Sequence, residues 1–185
     1  SSAASIAFLK ISSIGSLPTF SSVNIIFVPL KTSFAIEFAE QIAAEFGHNY
    51  VGTEHLLCGL ICEGTGLAFK VLNEQNVTDE KVEELIEELI GRNEPLTVLP
   101  DSFTPRTKRV IETSFAEAKR LNNNFIGTEH LLLAMIKDGD CVATRILNML
   151  NVDLAKIADE ILEIIENLNL TYAVRDGILA HSGEP

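Results

Sequence analysis

An internal repeat constrains this chain more than any other feature of its sequence. Residues 50–57, YVGTEHLL, return 75 positions later as FIGTEHLL at residues 125–132. The identities continue past this motif without a gap. They pair Asn49, Ile61, Gly64, Ala68, Leu72 and Val77 with Asn124, Ile136, Gly139, Ala143, Leu147 and Val152. A period of this length is too long for an ordinary solenoid. It predicts two similar halves packed about a pseudo-twofold axis.

Each half has the apolar spacing of about four α-helices. In the first half, helices are predicted at residues 33–46, at the GTEH motif, after Gly64 and after Thr78. In the second half, Thr104 is expected to cap the first helix, with Pro105 in its first turn. No stretch alternates with period two for long enough to indicate a strand. The fold class is therefore all-α, with two pseudo-twofold-related four-helix repeats in one bundle, joined by an exposed Gly- and Pro-containing linker at residues 91–105.

The charge and the cysteines limit the partners of the chain. Its formal net charge of -12 argues against nucleic acid and favours cationic or arginine-bearing ligands. No run reaches the roughly 20 apolar residues of a membrane span, so no membrane partner is expected. Cys58, Cys62 and Cys141 are odd in number and have no counterparts in the other copy of the repeat. They favour a reducing compartment without a zinc site, and neither a metal nor a cofactor is predicted.

The first 33 residues differ from the rest of the chain. They are rich in serine and contain no acidic residue, and they are predicted to be an atypical extension. Such a composition is compatible with an organellar transit peptide, although the arginines expected of one are missing. Organellar import through residues 1–33 therefore stays open.

Local chemistry accounts for most of the Gly-Thr-Glu-His motif. Thr53 can cap the helix that follows by accepting a hydrogen bond from a first-turn N–H group, and Gly52 permits a tight turn. His55 is expected to fill a polar gap against the preceding helix. Glu54 and its counterpart Glu129 are less constrained, because another acidic or polar residue would serve a helix start nearly as well. A carboxylate beside first-turn amides can grip a guanidinium, while the amides can receive an anion.

Catalytic readings of the sequence are weaker. A metalloprotease helix needs a second histidine four residues after the first, and neither His55 nor His130 has one. There is no phosphate-binding loop of the Gly-x-x-x-x-Gly-Lys-Ser/Thr type and no Gly-x-Ser-x-Gly sequence. The chain is therefore predicted not to be an enzyme.

Three parts of the sequence carry a family resemblance: the paired GTEHLL helices, the segment FTPRTKRVIETSFAEAKRL and the segment GDCVATRILNMLNVDLAKIADEIL. Together they resemble the duplicated Clp N-terminal domain, most of all its ClpC-type version. The resemblance covers residues 34–166, with repeat one at 34–94 and repeat two at 103–166. It implies a module of the Clp protease system that docks adaptor proteins, Clp ATPase or protease components, and arginine-bearing or phosphoarginine-marked clients. The implied ligand-binding residues are Glu54, Glu129, Thr53, Thr128 and Thr104. The implied location is the bacterial cytoplasm. Repeat one departs from the family pattern, because Val28, Pro29, Leu30 and Lys31 stand where repeat two has Phe-Thr-Pro-Arg.

Residues 167–185 repeat nothing upstream and are predicted to be a C-terminal extension. Within them, RDGI followed by His181 and Gly-Glu is similar to a short segment of HD-type phosphohydrolases. A fusion to such a hydrolase is one alternative to the docking module. A structural Clp accessory subunit that binds no client is another.

Overall fold

The computed structural model describes residues 28–181, with side chains described as far as residue 176. Its eight α-helices are α1 Leu30–Glu45, α2 Thr53–Glu63, α3 Leu67–Glu74, α4 Asp79–Leu89, α5 Pro105–Arg120, α6 Thr128–Asp138, α7 Val142–Met149 and α8 Leu154–His181. Within these residues no β-strand forms, and a single β-bridge pairs Val51 with Phe103. The all-α class and the division into two four-helix repeats are confirmed.

Left-handed backbone conformations end the helices at the same places in both repeats. Gly64 and Gly139 follow α2 and α6, with φ of 77° and 70°. Asn76 and Asn151 follow α3 and α7, with φ of 58° and 57°. Glycine and asparagine tolerate this conformation best, so these residues terminate the helices. The repeats differ at the fourth helix, because Gly91, with φ of 92°, ends α4, whereas Glu166 stands at its counterpart and α8 continues to His181.

The predicted domain boundaries lie inside regular structure. Val28 is buried in the core, and α1 begins at Leu30, four residues before the predicted start of the domain. Helical spacing did not show this start, because Pro29 at the N-cap position offers no side-chain cap. At the other end, α8 crosses the boundary predicted between residues 166 and 167. The division into domains stays a prediction. The interpretation of residues 1–33 as an extension or transit peptide lies outside the described residues for 1–27, whereas residues 28–33 lead into α1 and begin it.

The core is built around α2 and α6, the helices that carry the repeated motif. Residues 53–61 of α2 are all buried, and α6 buries nearly as much of its length. A helix that is apolar on all sides belongs in a protein interior. The third helix of each repeat packs against the second helix of the other, α3 on α6 and α7 on α2.

Among the described residues no single helix is long and apolar enough to cross a membrane. Among these residues, α2 and α3 are long and apolar enough only when taken together, and the chain bends by 93° between them.

Gly59 allows α1 and α2 to cross at very short range. A Cβ atom at this position would lie 2.2 Å from the backbone oxygen of Ala35 and 2.9 Å from the nitrogen of Ala39. The corresponding position in α6 is Ala134, which is fully buried. The crossing of α1 with α2 therefore has no room for the methyl group that α6 carries.

We expect Gly59→Ala to destabilise the fold by about 1–3 kcal/mol, because the new methyl group forces two backbones apart. In an exposed helix the same change would stabilise by up to about 1 kcal/mol. Urea unfolding monitored by circular dichroism measures the difference. The matched control is Ala134→Gly, which should cost only about 1 kcal/mol in helix propensity plus a small cavity. A Gly59→Ala protein more stable than wild type would contradict the close crossing.

Candidate functional site

The histidines of the repeated motif cap their own helices. Nδ1 of His55 accepts a hydrogen bond from the backbone N–H of Gly52 at 2.9 Å, and His130 does the same for Gly127 at 2.8 Å. Each histidine therefore occupies the place that glutamate or glutamine holds in a capping box. Because Nδ1 accepts, the proton of each neutral ring is on Nε2. Burial lowers the pKa of His55 to about 3 and that of His130 to about 4, so both rings are neutral at pH 7.

The outer nitrogens of the two histidines have different partners. Nε2 of His55 donates to Nδ1 of His48 at 2.8 Å, and Nε2 of His48 donates to the carbonyl oxygen of Gly91 at 3.0 Å. In repeat two Asn123 replaces His48, and Nε2 of His130 donates to its Oδ1 at 2.8 Å. Both arrangements satisfy a buried ring without charging it.

The threonines of the motif cap helices of the opposite repeat. Oγ1 of Thr53 accepts from the N–H of Ala143 in the first turn of α7, at 3.2 Å. Oγ1 of Thr128 accepts from the N–H of Ala68 in the first turn of α3, at 3.3 Å. The prediction that Thr53 caps its own helix is therefore wrong. Gly52 is the N-cap residue of α2, and the Thr53 side chain faces the other repeat.

The glutamates fold back over the starts of α2 and α6. A Cβ atom on Gly52 would lie 2.1 Å from Oε1 of Glu54, and one on Gly127 would lie 2.4 Å from Oε1 of Glu129. The hydroxyl of Thr128 donates to Oε2 of Glu129 at 3.5 Å. Burial is the largest influence on both glutamates and raises the pKa of each carboxyl above its usual range. The motif glycine therefore leaves space for a carboxylate at the N-cap.

The starts of α1 and α5 flank the two glutamate sites and differ from each other. The N–H of Thr104 donates to the carbonyl oxygen of Val51 at 3.0 Å, just before the first motif. Pro29 stands at the equivalent position and has no N–H to donate. The hydroxyl of Thr32 takes over this role and donates to the carbonyl oxygen of Ile126 at 2.8 Å. The hydroxyl of Thr32 thus replaces the backbone N–H that Pro29 lacks, and it donates to the carbonyl oxygen of Ile126, which is the counterpart of Val51.

Thr104 caps α5, as predicted. Its Oγ1 accepts from the N–H of Thr107 at 3.1 Å and lies 2.8 Å from Oγ1 of that residue. Pro105 occupies the first turn, where the absence of an N–H costs nothing.

A cleft of about 410 Å³ opens beside Glu129. The starts of three helices, α1, α3 and α6, border it, and α8 forms one wall. It is lined by Pro29, Lys31, Thr32, Thr65, Gly66, Leu67, Lys70, Phe125, Gly127, Thr128, Glu129, Ile164 and Leu168. The cleft therefore combines one carboxylate, two ammonium groups and an apolar wall. Within the described residues, no group of three or more His, Cys, Asp or Glu side chains could hold a metal ion.

The structure distributes the predicted site residues over two places related by the repeat. Thr128 and Glu129 line the cleft, while Thr53 and Glu54 lie at the equivalent seam, where Thr104 begins α5. Sequence reasoning did not select Lys31 as a site residue. From the sequence, Lys70, Arg106 and Arg145 are possible phosphate neighbours but are better explained as ordinary solvated charges, and Lys31 is the counterpart of Arg106 under the 75-residue offset.

Comparison with known proteins shows consistent similarity to one family. The family described as Clp repeat (R) N-terminal domain matches residues 30–100 and 102–179. An ATP-dependent Clp protease ATP-binding subunit ClpA homolog of Guillardia theta is 46% identical over 137 residues, covering 73% of this chain and 16% of the relative. The chloroplastic chaperone protein ClpC2 of Arabidopsis thaliana is 42% identical over 158 residues, covering 84% and 16%. The chain therefore spans only about a sixth of the length of these relatives.

Solved structures share the fold. The N-terminal domain of ClpD from Arabidopsis thaliana superposes with a TM-score of 0.62 at 23% identity, covering 75% of this chain and 96% of that domain. The N-domain of ClpV in complex with a VipB peptide has a TM-score of 0.58 at 15% identity, covering 78% and 97%.

Replacing Thr128 by valine should destabilise the fold by about 1–2 kcal/mol, because the buried N–H of Ala68 loses its acceptor. Thr53→Val should have the same effect through Ala143. Chemical denaturation measures both. Thr128→Ser keeps the hydroxyl and is the matched control, for which we expect most of the stability to be retained. If valine and serine variants are equally stable, the caps between repeats contribute nothing.

The depressed pKa of His130 predicts a loss of stability in acid. A histidine with a folded pKa of about 4 stabilises the fold above its unfolded pKa of about 6.5, and this contribution is lost as pH falls towards 4. Between pH 7 and pH 5 the loss amounts to about 2 kcal/mol.

His130→Gln tests this prediction, because glutamine can keep the capping bond without titrating. Unfolding free energies at pH 7 and pH 5 should differ by about 2 kcal/mol more in wild type than in the variant. The comparison cancels the opposite trend from Glu54 and Glu129, whose raised pKa values favour the folded state as pH falls. If the free energy of unfolding changed with pH in the same way in both proteins, His130 would not be buried as a neutral ring.

Proposed function

Because this chain belongs to the family of Clp repeat N-terminal domains, we propose that it is a protein-docking module of a Clp chaperone–protease system. In this role it binds arginine-bearing segments of adaptors or clients, including phosphoarginine-marked proteins, through Glu54 and Glu129. Thr53, Thr128 and Thr104 position these glutamates and the surrounding helix starts. The chain corresponds to the N-terminal domain of Clp proteins and not to their ATPase domain. That it has no enzymatic activity stays a prediction.

The observation that carries the proposal is the setting of the two carboxylates. Each lies at the seam between the repeats, at the start of one helix and beside the capped start of another. Helix starts carry a partial positive charge, which favours an anionic side chain at each position. The carboxylates have no ion-pair partner among arginine and lysine side chains within residues 28–176. A buried carboxylate of this kind gains most from a guanidinium, which binds it with two parallel hydrogen bonds.

Phosphoarginine suits this site because it brings both charges together. Turning the carboxylate outward towards a guanidinium uncovers the helix start over which it lies. A phosphoryl group can then occupy the helix start, where backbone amides and the helix dipole favour an anion. The motif glycine leaves the space over the helix start open to either group.

The relatives support this assignment in general terms. A ClpV N-domain has been solved in complex with a VipB peptide, which supports a peptide-docking role for this chain. By analogy, we propose adaptor proteins, clients, and Clp ATPase or protease components as partners. Several relatives are described as chloroplastic, which supports an organellar or bacterial-type setting. A bacterial cytoplasmic location stays a prediction.

We expect a phosphoarginine peptide to bind wild type and to bind a Glu54→Gln, Glu129→Gln double variant at least about tenfold more weakly, because the guanidinium loses its charge-assisted partner whichever glutamate holds it. Isothermal titration calorimetry at pH 7.5 measures the affinities. The free energy of unfolding of the double variant should lie within about 1 kcal/mol of the wild-type value, since glutamine keeps the size of glutamate and can still form hydrogen bonds.

The matched control is Glu84→Gln, Glu88→Gln, which removes the same charge from exposed positions on α4. It should bind the peptide like wild type. Equal affinities for wild type and the Glu54, Glu129 double variant would refute the assigned site. If, in addition, a Clp ATPase still co-purified with that variant, the alternative of a structural accessory subunit that binds no client would be favoured.

A further inference from the structure

The two glutamate sites are related by the repeat but have different cations. Lys31 and Lys70 line the cleft at Glu129. Under the 75-residue offset their counterparts are Arg106 and Arg145. Both positions are therefore basic in each repeat, but Lys31 and Arg106 make different contacts.

Arg106 is neutralised by neighbouring carboxylates. Its Nη1 donates to Oδ1 and Oδ2 of Asp138 at 3.1 and 3.2 Å, and its Nη2 lies 3.5 Å from Oδ2 of Asp140. The negative charge of Asp138 and Asp140 offsets the charge that this guanidinium could offer to an external anion. Among the described residues the side chain of Arg145 forms no such ion pair, so the two sites differ at Arg106 and Lys31.

Lys31 is not engaged by a pair of carboxylates, although its charge partly offsets the rise that burial causes in the pKa of Glu129 in the same cleft. Its ammonium donates to the backbone oxygen of Thr65 at 3.1 Å, and within residues 28–176 neither it nor Lys70 forms an ion pair. Thr65 is the neutral counterpart of Asp140. Glu63, the counterpart of Asp138, instead accepts from the backbone N–H groups of Thr65 and Gly66, at 3.1 and 2.6 Å. The cations of the Glu129 cleft are thus available to a ligand.

The walls of the two sites differ in the same sense. Phe125 and Leu168 line the cleft, with 36% and 50% of their surface exposed. Their counterparts are Tyr50, whose ring stacks on His48, and Asn93, whose side chain donates to the backbone oxygen of Gly47 at 3.4 Å. Glu54 itself is only 3% exposed, whereas Glu129 is half-buried. The Glu129 side is therefore more open, more apolar and richer in available positive charge.

We propose that the two sites have diverged, and that the Glu129 cleft is the one that takes phosphorylated arginine beside an apolar residue. This inference rests on the proposed function. Glu129 contacts the guanidinium, Lys31 and Lys70 contact the phosphoryl oxygens, and Phe125 and Leu168 receive the apolar neighbour. The site of Glu54 contributes little to binding of the phosphorylated form, because Asp138 and Asp140 already engage Arg106, the counterpart of Lys31.

Single variants of the full chain test the division of roles. The probes are two fluorescent peptides of one sequence, with a leucine next to either arginine or phosphoarginine. Glu129→Gln should weaken phosphoarginine binding by at least about tenfold, whereas Glu54→Gln should change it less than about twofold. Lys31→Gln and Lys70→Gln should each weaken it by about three- to tenfold and leave the arginine peptide unaffected or slightly better bound.

Arg145→Gln is the matched control for Lys70→Gln, because it removes the same charge at the equivalent position of the other site. It should leave phosphoarginine binding unchanged. Replacing the leucine next to phosphoarginine by serine should weaken binding to wild type. Thermal unfolding checks that each variant is folded, and all are surface or seam substitutions that leave the core intact.

The outcomes separate this inference from the proposed function. If neither peptide binds wild type, the proposed function fails, and the division of roles fails with it. Equal losses from Glu54→Gln and Glu129→Gln would overturn the divergence while leaving the proposed function in place. Lysine variants that weaken both peptides equally, or neither, would overturn the assignment of the phosphoryl contacts.

Discussion

The structure depends on the reciprocal capping of helices by Thr53 and Thr128. A threonine at the start of a helix usually satisfies an N–H of that helix. Here each threonine satisfies the first turn of the third helix of the other repeat, whose own N-cap residue, Gly66 or Cys141, forms no side-chain cap. Neither repeat can complete its own hydrogen bonding alone, and the motif helices α2 and α6 become the shared centre of one core.

The same constraint places the candidate sites. Once the threonine faces the opposite repeat, the adjacent glutamate lies at the seam, where helix starts from both halves meet. Burial there raises the pKa of each carboxyl, and the histidine next to it is occupied with capping and stays neutral. The four residues of the motif therefore have separate tasks. Glycine leaves space, threonine joins the repeats, glutamate places a carboxylate over the helix start, and histidine caps the helix.

Small differences between the repeats break the symmetry in physically traceable ways. Gly91 ends α4, but its counterpart Glu166 allows α8 to continue to His181 and to form a wall of the cleft. Pro29 removes a backbone donor, and Thr32 supplies a hydroxyl in its place. Asp140 neutralises Arg106, while Thr65 leaves Lys31 available. A duplicated fold thus supports two sites of unequal chemistry.

The sequence by itself determined the repeat, the all-α class, the cap at Thr104 and the equivalence of Glu54 and Glu129 in the two repeats. These features depend on local periodicity and on residues at a constant offset, which are visible in one dimension. Only the tertiary structure decided that Thr53 caps α7 instead of its own helix, and that Lys31 and Leu168 join Glu129 in one cleft. Those residues are distant along the chain, and they meet because α3 packs on α6 and α7 on α2, a choice set by burial across the whole bundle.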